Sequence, residues 1–148
     1  MPKDHKTVAV IVVQSSRAFV WLGHMPIMNW SVRRLNDVRG IDRIVCVVSP
    51  RLKAQATKLL NSEEIEVVSM PPAVAKATQA DFDKWLCSAT GPAAEADVIL
   101  VLQPTSPFMP ASKIEAVLDR VVTKAADRCC TTREVQAYVR PHLNSPIN

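Results

Sequence analysis

Glycine is nearly missing from this chain. Three glycines, Gly23, Gly40 and Gly91, serve 148 residues, against a usual share of about 7%. No Gly-x-Gly-x-x-Gly or Walker A loop can be written from them, which excludes both glycine-rich phosphate cradles. Aromatic residues make up 5% and are not interleaved with the basic ones, which argues against a nucleic-acid surface. No apolar run reaches the roughly 18 residues of a membrane span. The start, Met1-Pro2-Lys3-Asp4-His5-Lys6, has no signal-peptide apolar region. A cytoplasmic protein without membrane contact is expected. Cys46, Cys87, Cys129 and Cys130 show no Cys-x-x-Cys spacing, and His5, His24 and His142 are scattered, so no zinc pattern is present. Cys46 falls in a predicted strand as a small core residue. In a strand, the vicinal Cys129-Cys130 pair would point to opposite faces.

What the chain has is alternation. A hydrophobic share of 48% with 22% charged residues suits one soluble domain over residues 1–148, with an irregular tail from about 133. The β-branched run Thr7 to Val13 has no polar break, as in a strand covered on both faces. Pro26 can open a helix running to about Val38, with Met28, Val32 and Leu35 on its inner face. Arg43 to Ser49 reads as a second strand. Ser49 is expected to cap the next helix, with Pro50 in its first position and Leu52, Ala56, Leu59 and Leu60 in one stripe. Ile65 to Ser69 is a short third strand, and Pro71-Pro72 breaks the chain. A helix from about Thr78 to Ala89 carries Phe82, Trp85, Leu86 and Ala89 on one face. Asp97 to Leu102 is the fourth strand. Ser112-x-x-Glu115 reads as a capping box for a helix with Ile114, Val117, Leu118, Val121, Val122 and Ala125 inward. Arg128 to Thr132 is a candidate fifth strand. The expectation is an α/β fold: a three-layer α/β/α sandwich with a mostly parallel sheet.

The net charge is +4, and six basic residues fall between Arg33 and Lys53. They are read as a solvated surface, with attraction of an anionic ligand as the alternative. The most informative segment is Gln103-Pro104-Thr105-Ser106-Pro107, directly after the fourth strand. Its two prolines forbid regular structure. A rigid polar loop at the carboxyl end of a central strand is where open α/β sheets bind ligands. The alternative is that Pro104 and Pro107 only fix a strand-to-helix turn.

Leu102-Gln-Pro-Thr-Ser-Pro107 after a strand resembles the signature of the cytidylyltransferases that activate acidic sugars, above all the CMP-N-acylneuraminate (sialic acid) synthetases. Thr7–Val13 is similar to that family's first strand, Leu22-Gly-His-Met-Pro-Ile27 to its Gly-Lys-Pro-Leu segment, and Gly40–Ser49 to its entry into the second strand. The resemblance spans about residues 7 to 130. It implies a Rossmann-like nucleotide-diphospho-sugar transferase fold and the reaction of CTP with an acidic sugar to give CMP-sugar and pyrophosphate. It also implies Mg²⁺ as cofactor and allows a homodimer. By the same resemblance, Gln14, Ser15, Ser16, Arg17 and His24 face the nucleotide, and Gln103, Thr105 and Ser106 face the sugar.

The chain departs from that pattern in two places. Loop 14–21 has no glycine and no lysine, Arg17 is its only cation, and His24 stands where the family has lysine. Within the loop, Trp21 is expected as a buried anchor, with stacking on a base as the alternative. The only Asp-x-Asp is Asp81-Phe82-Asp83; on a helix such positions diverge, so it reads as helix surface and no metal ligand or catalytic residue is assigned. Cytidylyl transfer is therefore expected to be weak or lost. The alternative is a non-catalytic binding or regulatory module built on the same fold.

Overall fold

A computed structural model of the chain describes residues 5–61, 63 and 65–129. Strand β1 (Thr7–Val13) is buried along its whole length. A 3₁₀ turn (Ser16–Phe19) then leads to a small antiparallel hairpin of β2 (Trp21–Leu22) and β3 (Met25–Pro26). Helix α1 (Ile27–Asn36) precedes β4 (Arg43–Val48), and a 3₁₀ turn (Pro50–Leu52) runs into α2 (Lys53–Leu59). After β5 (Glu66–Ser69) come the single turn α3 (Pro72–Ala75), α4 (Gln79–Cys87), β6 (Val98–Leu102) and α5 (Ala111–Val122).

The main sheet has the order β5-β4-β1-β6 and all its described pairs are parallel. β1 is central because every residue of it can be buried on either face. Successive side chains of a strand alternate. Ala9, Ile11 and Val13 join Met28, Val32 and Leu35 of α1, Leu52, Ala56 and Leu60 around α2, and Ile114 and Leu118 of α5. Val8, Val10 and Val12 meet Phe82 and Leu86 of α4 on the other face. Right-handed crossovers explain the split. The chain steps one way from β1 to β4 to β5, then reverses to reach β6, so α4 lands on the face opposite α1 and α2. The three-layer α/β expectation holds.

Some boundaries move. The first long helix starts at Ile27, because Pro26 is already paired with Trp21 in the hairpin. Gly23 takes φ +68° at the hairpin turn, a backbone region glycine enters without steric cost. Two-residue strands carry no readable periodicity, which is why the hairpin is not legible in the sequence. Ser49 stands before the 3₁₀ turn with Pro50 first, but its side chain makes no capping bond. Pro72 begins the single turn α3 rather than only breaking the chain. Ala89 lies beyond the end of α4 and is exposed. Arg128 and Cys129 carry no strand, and the rest of the candidate fifth strand and the tail lie outside the described residues.

The capping box expected at Ser112 is not formed. α5 begins at Ala111 after Pro110, with no side-chain cap. Glu115 instead accepts the Arg39 backbone N–H at 2.9 Å and pairs with the Arg39 guanidinium. A tertiary partner with a permanent charge outcompetes the local donor. The box forms at α4, where Thr78 and Asp81 satisfy each other's backbone N–H groups.

Hydrogen bonds from Arg39, first the backbone one, hold the Glu115 carboxyl below its ordinary range. The unfolded chain therefore binds the extra proton first as pH falls. The pair's contribution is complete above the usual glutamate pKa of about 4.3 and fades as pH drops through the lowered value. Urea midpoints measured from pH 6 to 3 should show a small acid-side decline that Glu115→Gln removes. In addition, a Cβ on Gly91 would sit 1.9 Å from the Trp85 carbonyl oxygen and 2.5 Å from that of Leu86. Gly91→Ala should destabilise by roughly 1–3 kcal/mol, the usual cost of overpacking, read as a lower urea midpoint with unchanged slope.

Candidate functional site at the carboxyl edge of the sheet

β1 continues to one neighbour, β4, and the chain returns on its other side as β6. This is a topological switch point, the place where open α/β sheets bind ligands between the loops that leave the strand ends, and here those are the loops after β1 and β6. The register Ile11↔Leu102 puts the two strand ends side by side. Gln14, Ser15, Ser16 and Arg17 leave β1 and are exposed; Gln103, Thr105 and Ser106 leave β6 and are exposed too. The structure thus brings both sequence-predicted groups to one edge of one sheet.

Each loop has its own brace. In the first, the Ser15 hydroxyl accepts the Arg17 backbone N–H at 3.3 Å. In the second, the Ser106 N–H reaches the Gln103 carbonyl at 3.3 Å, closing a tight turn. Pro104 is buried beneath it. Its carbonyl accepts from the Ser31 hydroxyl of α1 at 3.2 Å, and Ser31 is fully buried. One turn earlier on the same helix, the Ile27 N–H bonds to the Val20 carbonyl at 2.9 Å. The start of α1 therefore holds both loops. Ser31 carried no signal in the sequence, since a lone serine within a helical stripe reads as filler.

His24 follows on the hairpin after the β1 loop. It occupies the tip of the β2–β3 hairpin and packs edge-on against Trp30 of α1, with ring centroids 5.1 Å apart. The Trp30 ring N–H in turn bonds to the Leu22 carbonyl at 2.8 Å. Trp21, expected as an internal anchor, is 62% exposed; Phe19, two residues earlier, fills the core position instead.

The basic stretch from Arg33 to Lys53 resolves into two kinds of residue. Arg33, Arg34, Arg39 and Arg43 pair with Glu63, Asp37, Glu115 and Glu66, as a solvated surface would. Arg51 does not. It lies just past β4 and its guanidinium donates to the Gln14 carbonyl at 3.4 Å. Among the described residues, neither Arg17 nor Arg51 pairs with a carboxylate. The larger surface clefts, about 530 and 570 Å³, lie at the amino edge, where the charges already neutralise each other. At the carboxyl edge, Gln103 and Ser106 border a smaller cavity of about 190 Å³ with Leu102, Met109 and Cys129.

The described residues do not fit a magnesium site. Segments 14–20, 49–53, 70–72 and 103–110, which leave the carboxyl ends of the four strands, contain no Asp or Glu. Among the described residues, no group of three His, Cys, Asp or Glu side chains could hold a metal ion. Asp81 is engaged with Thr78, and Asp83 accepts from Gln79 at 2.9 Å, so the Asp-x-Asp is helix surface as expected. The Cys46 thiol is buried and pushed up to about 12 by desolvation, which leaves it inert. No described helix is long and apolar enough to cross a membrane.

No protein-family model and no curated protein matches the sequence. Solved structures do. One is a CMP:2-keto-3-deoxy-manno-octonic acid synthetase complexed with CTP, at 16% identity over 82% of this chain and 49% of that one, TM-score 0.64. The fold is that of the cytidylyltransferases. A 4-diphosphocytidyl-2C-methyl-D-erythritol synthase from Anaerococcus prevotii aligns at 13% identity over 80% of this chain and 51% of that one, TM-score 0.62. A cytidylyltransferase from Leptospira borgpetersenii aligns at 12% identity over 78% and 48%, TM-score 0.61. The chain spans about half the length of these structures.

Removing the Ser31 hydroxyl leaves a buried carbonyl without that donor. Ser31→Ala should cost roughly 1–3 kcal/mol in urea unfolding. It should also raise amide exchange at Thr105 and Ser106, while exchange in β4 stays unchanged.

Proposed function

We propose that this cytidylyltransferase-fold domain binds CTP in the crevice between the β1 and β6 loops, with an acidic sugar on the Gln103 side. The observation that carries this reading is the pairing of the two loops at the switch point, both braced by the first turns of α1. Gln14, Ser15, Ser16 and Arg17 would meet the nucleotide, Arg17 as the permanent cation. Gln103, Thr105 and Ser106 would donate to and accept from sugar hydroxyls and carboxylate. The Leu-Gln-Pro-Thr-Ser-Pro loop favours a sugar acid of the sialic-acid type. Exposed Trp21 supports the stacking alternative, since an aromatic face accepts any base. His24, held by Trp30, would contribute to the nucleotide side only as part of the hairpin rim.

Binding is the function the geometry supports best; transfer of CMP is weak or absent on this reading. Nucleotidyl transfer normally relies on a carboxylate-held Mg²⁺ to shield the triphosphate and the leaving pyrophosphate, and the described residues offer no such carboxylates. A cytoplasmic binding or regulatory module, alone or as a homodimer, is the form this takes.

A thermal-shift panel with CTP, CMP, UTP and ATP tests it. Ligand at about 100 times its dissociation constant stabilises by roughly 2.7 kcal/mol, several degrees for a chain of this size. CTP should give the largest shift, and added sugar acid should increase it. A folded sample that shifts with no nucleotide refutes the proposal.

A further inference from the structure

The site's charges are arranged in an unusual way for a domain that would hold a triphosphate. The family resemblance supplies one cation, Arg17, and the loop around it lacks the glycines that would let backbone N–H groups close on phosphate. A second cation comes from a different strand. β4 lies beside β1, and the ladder continues past the paired ends, where the Ser49 N–H bonds to the Val13 carbonyl at 3.0 Å. That bond holds segment 49–51 against the root of the β1 loop. Arg51 then reaches across to the Gln14 carbonyl at 3.4 Å. The guanidinium is exposed and keeps most of its five donors free for a ligand.

We propose that Arg51 and Arg17 together form a guanidinium pair for a polyphosphate chain, and that this pair holds its anion without a divalent cation. The inference rests on the nucleotide reading above and deepens it. Three observations converge. Neither arginine has a carboxylate partner among the described residues, although four neighbouring arginines in the sequence do. The described loops that leave the strand ends at this edge carry no Asp or Glu, so none of their own side chains opposes the positive field. The planar guanidinium fork matches phosphate oxygens bidentately, which an ammonium cannot do. A site with two such forks and no carboxylates neutralises phosphate directly, where a metal site would need acidic ligands of its own.

The test is calorimetric titration of the full chain with cytidine, CMP, CTP and inorganic tripolyphosphate, each in EDTA and in Mg²⁺. In EDTA, affinity should climb from cytidine through CMP to CTP, and Mg²⁺ should leave CTP affinity unchanged or weaken it by shielding the phosphates. Arg51→Ala should lower CTP and tripolyphosphate affinity roughly ten- to a hundredfold, the range for hydrogen bonds to a charged group. It should leave cytidine binding unchanged, because cytidine carries no phosphate, and leave the protein folded, because the residue is exposed. Arg51→Lys should recover only part of the loss. The inference is overturned if CTP binds only with Mg²⁺ or if Arg51→Ala binds CTP as the parent does; the nucleotide reading would then survive alone. Tripolyphosphate binding in EDTA that Arg51→Ala weakens, with no preference for CTP, would keep the guanidinium pair and remove the nucleotide. Absence of binding by every probe would overturn both.

Discussion

Every residue of strand β1 is buried, and that double burial is the constraint on which the rest of the structure depends. Each of its side chains must be covered on one face or the other, and each of its backbone groups must pair with a strand on either side. Helices α1, α2 and α5 cover one face and α4 the other, while β4 and β6 satisfy the two edges. Burying a valine or isoleucine side chain is worth roughly 1.5–3 kcal/mol, and the strand presents five such residues in a row of seven. A polar residue anywhere in Val8–Val13 would lack a partner, which is why the run has no break.

Covering β1 this way also makes the site. Because the chain runs to β4 first and returns on the far side as β6, the carboxyl ends of three neighbouring strands open at one edge. Polar loops gather there because no core remains to be built above them. The first turns of α1 tie this gathering down: the Ser31 hydroxyl grips the Pro104 carbonyl while the Ile27 N–H grips that of Val20. Pro104 assists from its own side, since its fixed φ limits the loop conformations from which that grip is made. The electrostatics at this edge also differ from those elsewhere. Among the described residues, the arginines at the amino edge are spent on carboxylates, while Arg17 and Arg51 at the carboxyl edge are not.

Much of the fold was legible in the chain. β1 and β4 were readable from β-branched runs, α1 from Met28, Val32 and Leu35, and α5 from its stripe as far as Val122, because burial on a face writes itself into a period; Ala125, expected inward, lies past the helix end and is exposed. The rigidity of the Gln103 loop was readable from its two prolines. What escaped notice had no period to show. The β2–β3 hairpin is two residues a side. Ser112 and Glu115 obey a capping pattern that loses to Arg39, a residue 76 positions from Glu115. Trp21, expected as the loop's buried anchor, is exposed and Phe19 is buried instead, since hydrophobicity alone cannot say which of two nearby aromatics the core has room for.

The sequence by itself determined the alternation of strands and helices, the parallel sheet, and the polar loops after the first and fourth long strands. Those follow from local preference and from burial summed along a segment. Only the tertiary structure decided that the two loops share one helix as their brace, that His24 packs on Trp30, and that Arg51 donates to the β1 loop while Arg33, Arg34, Arg39 and Arg43 pair with carboxylates. Each of these depends on where a residue distant in sequence comes to rest, and a charge or hydroxyl chooses its partner only after the sheet order has set which groups are near.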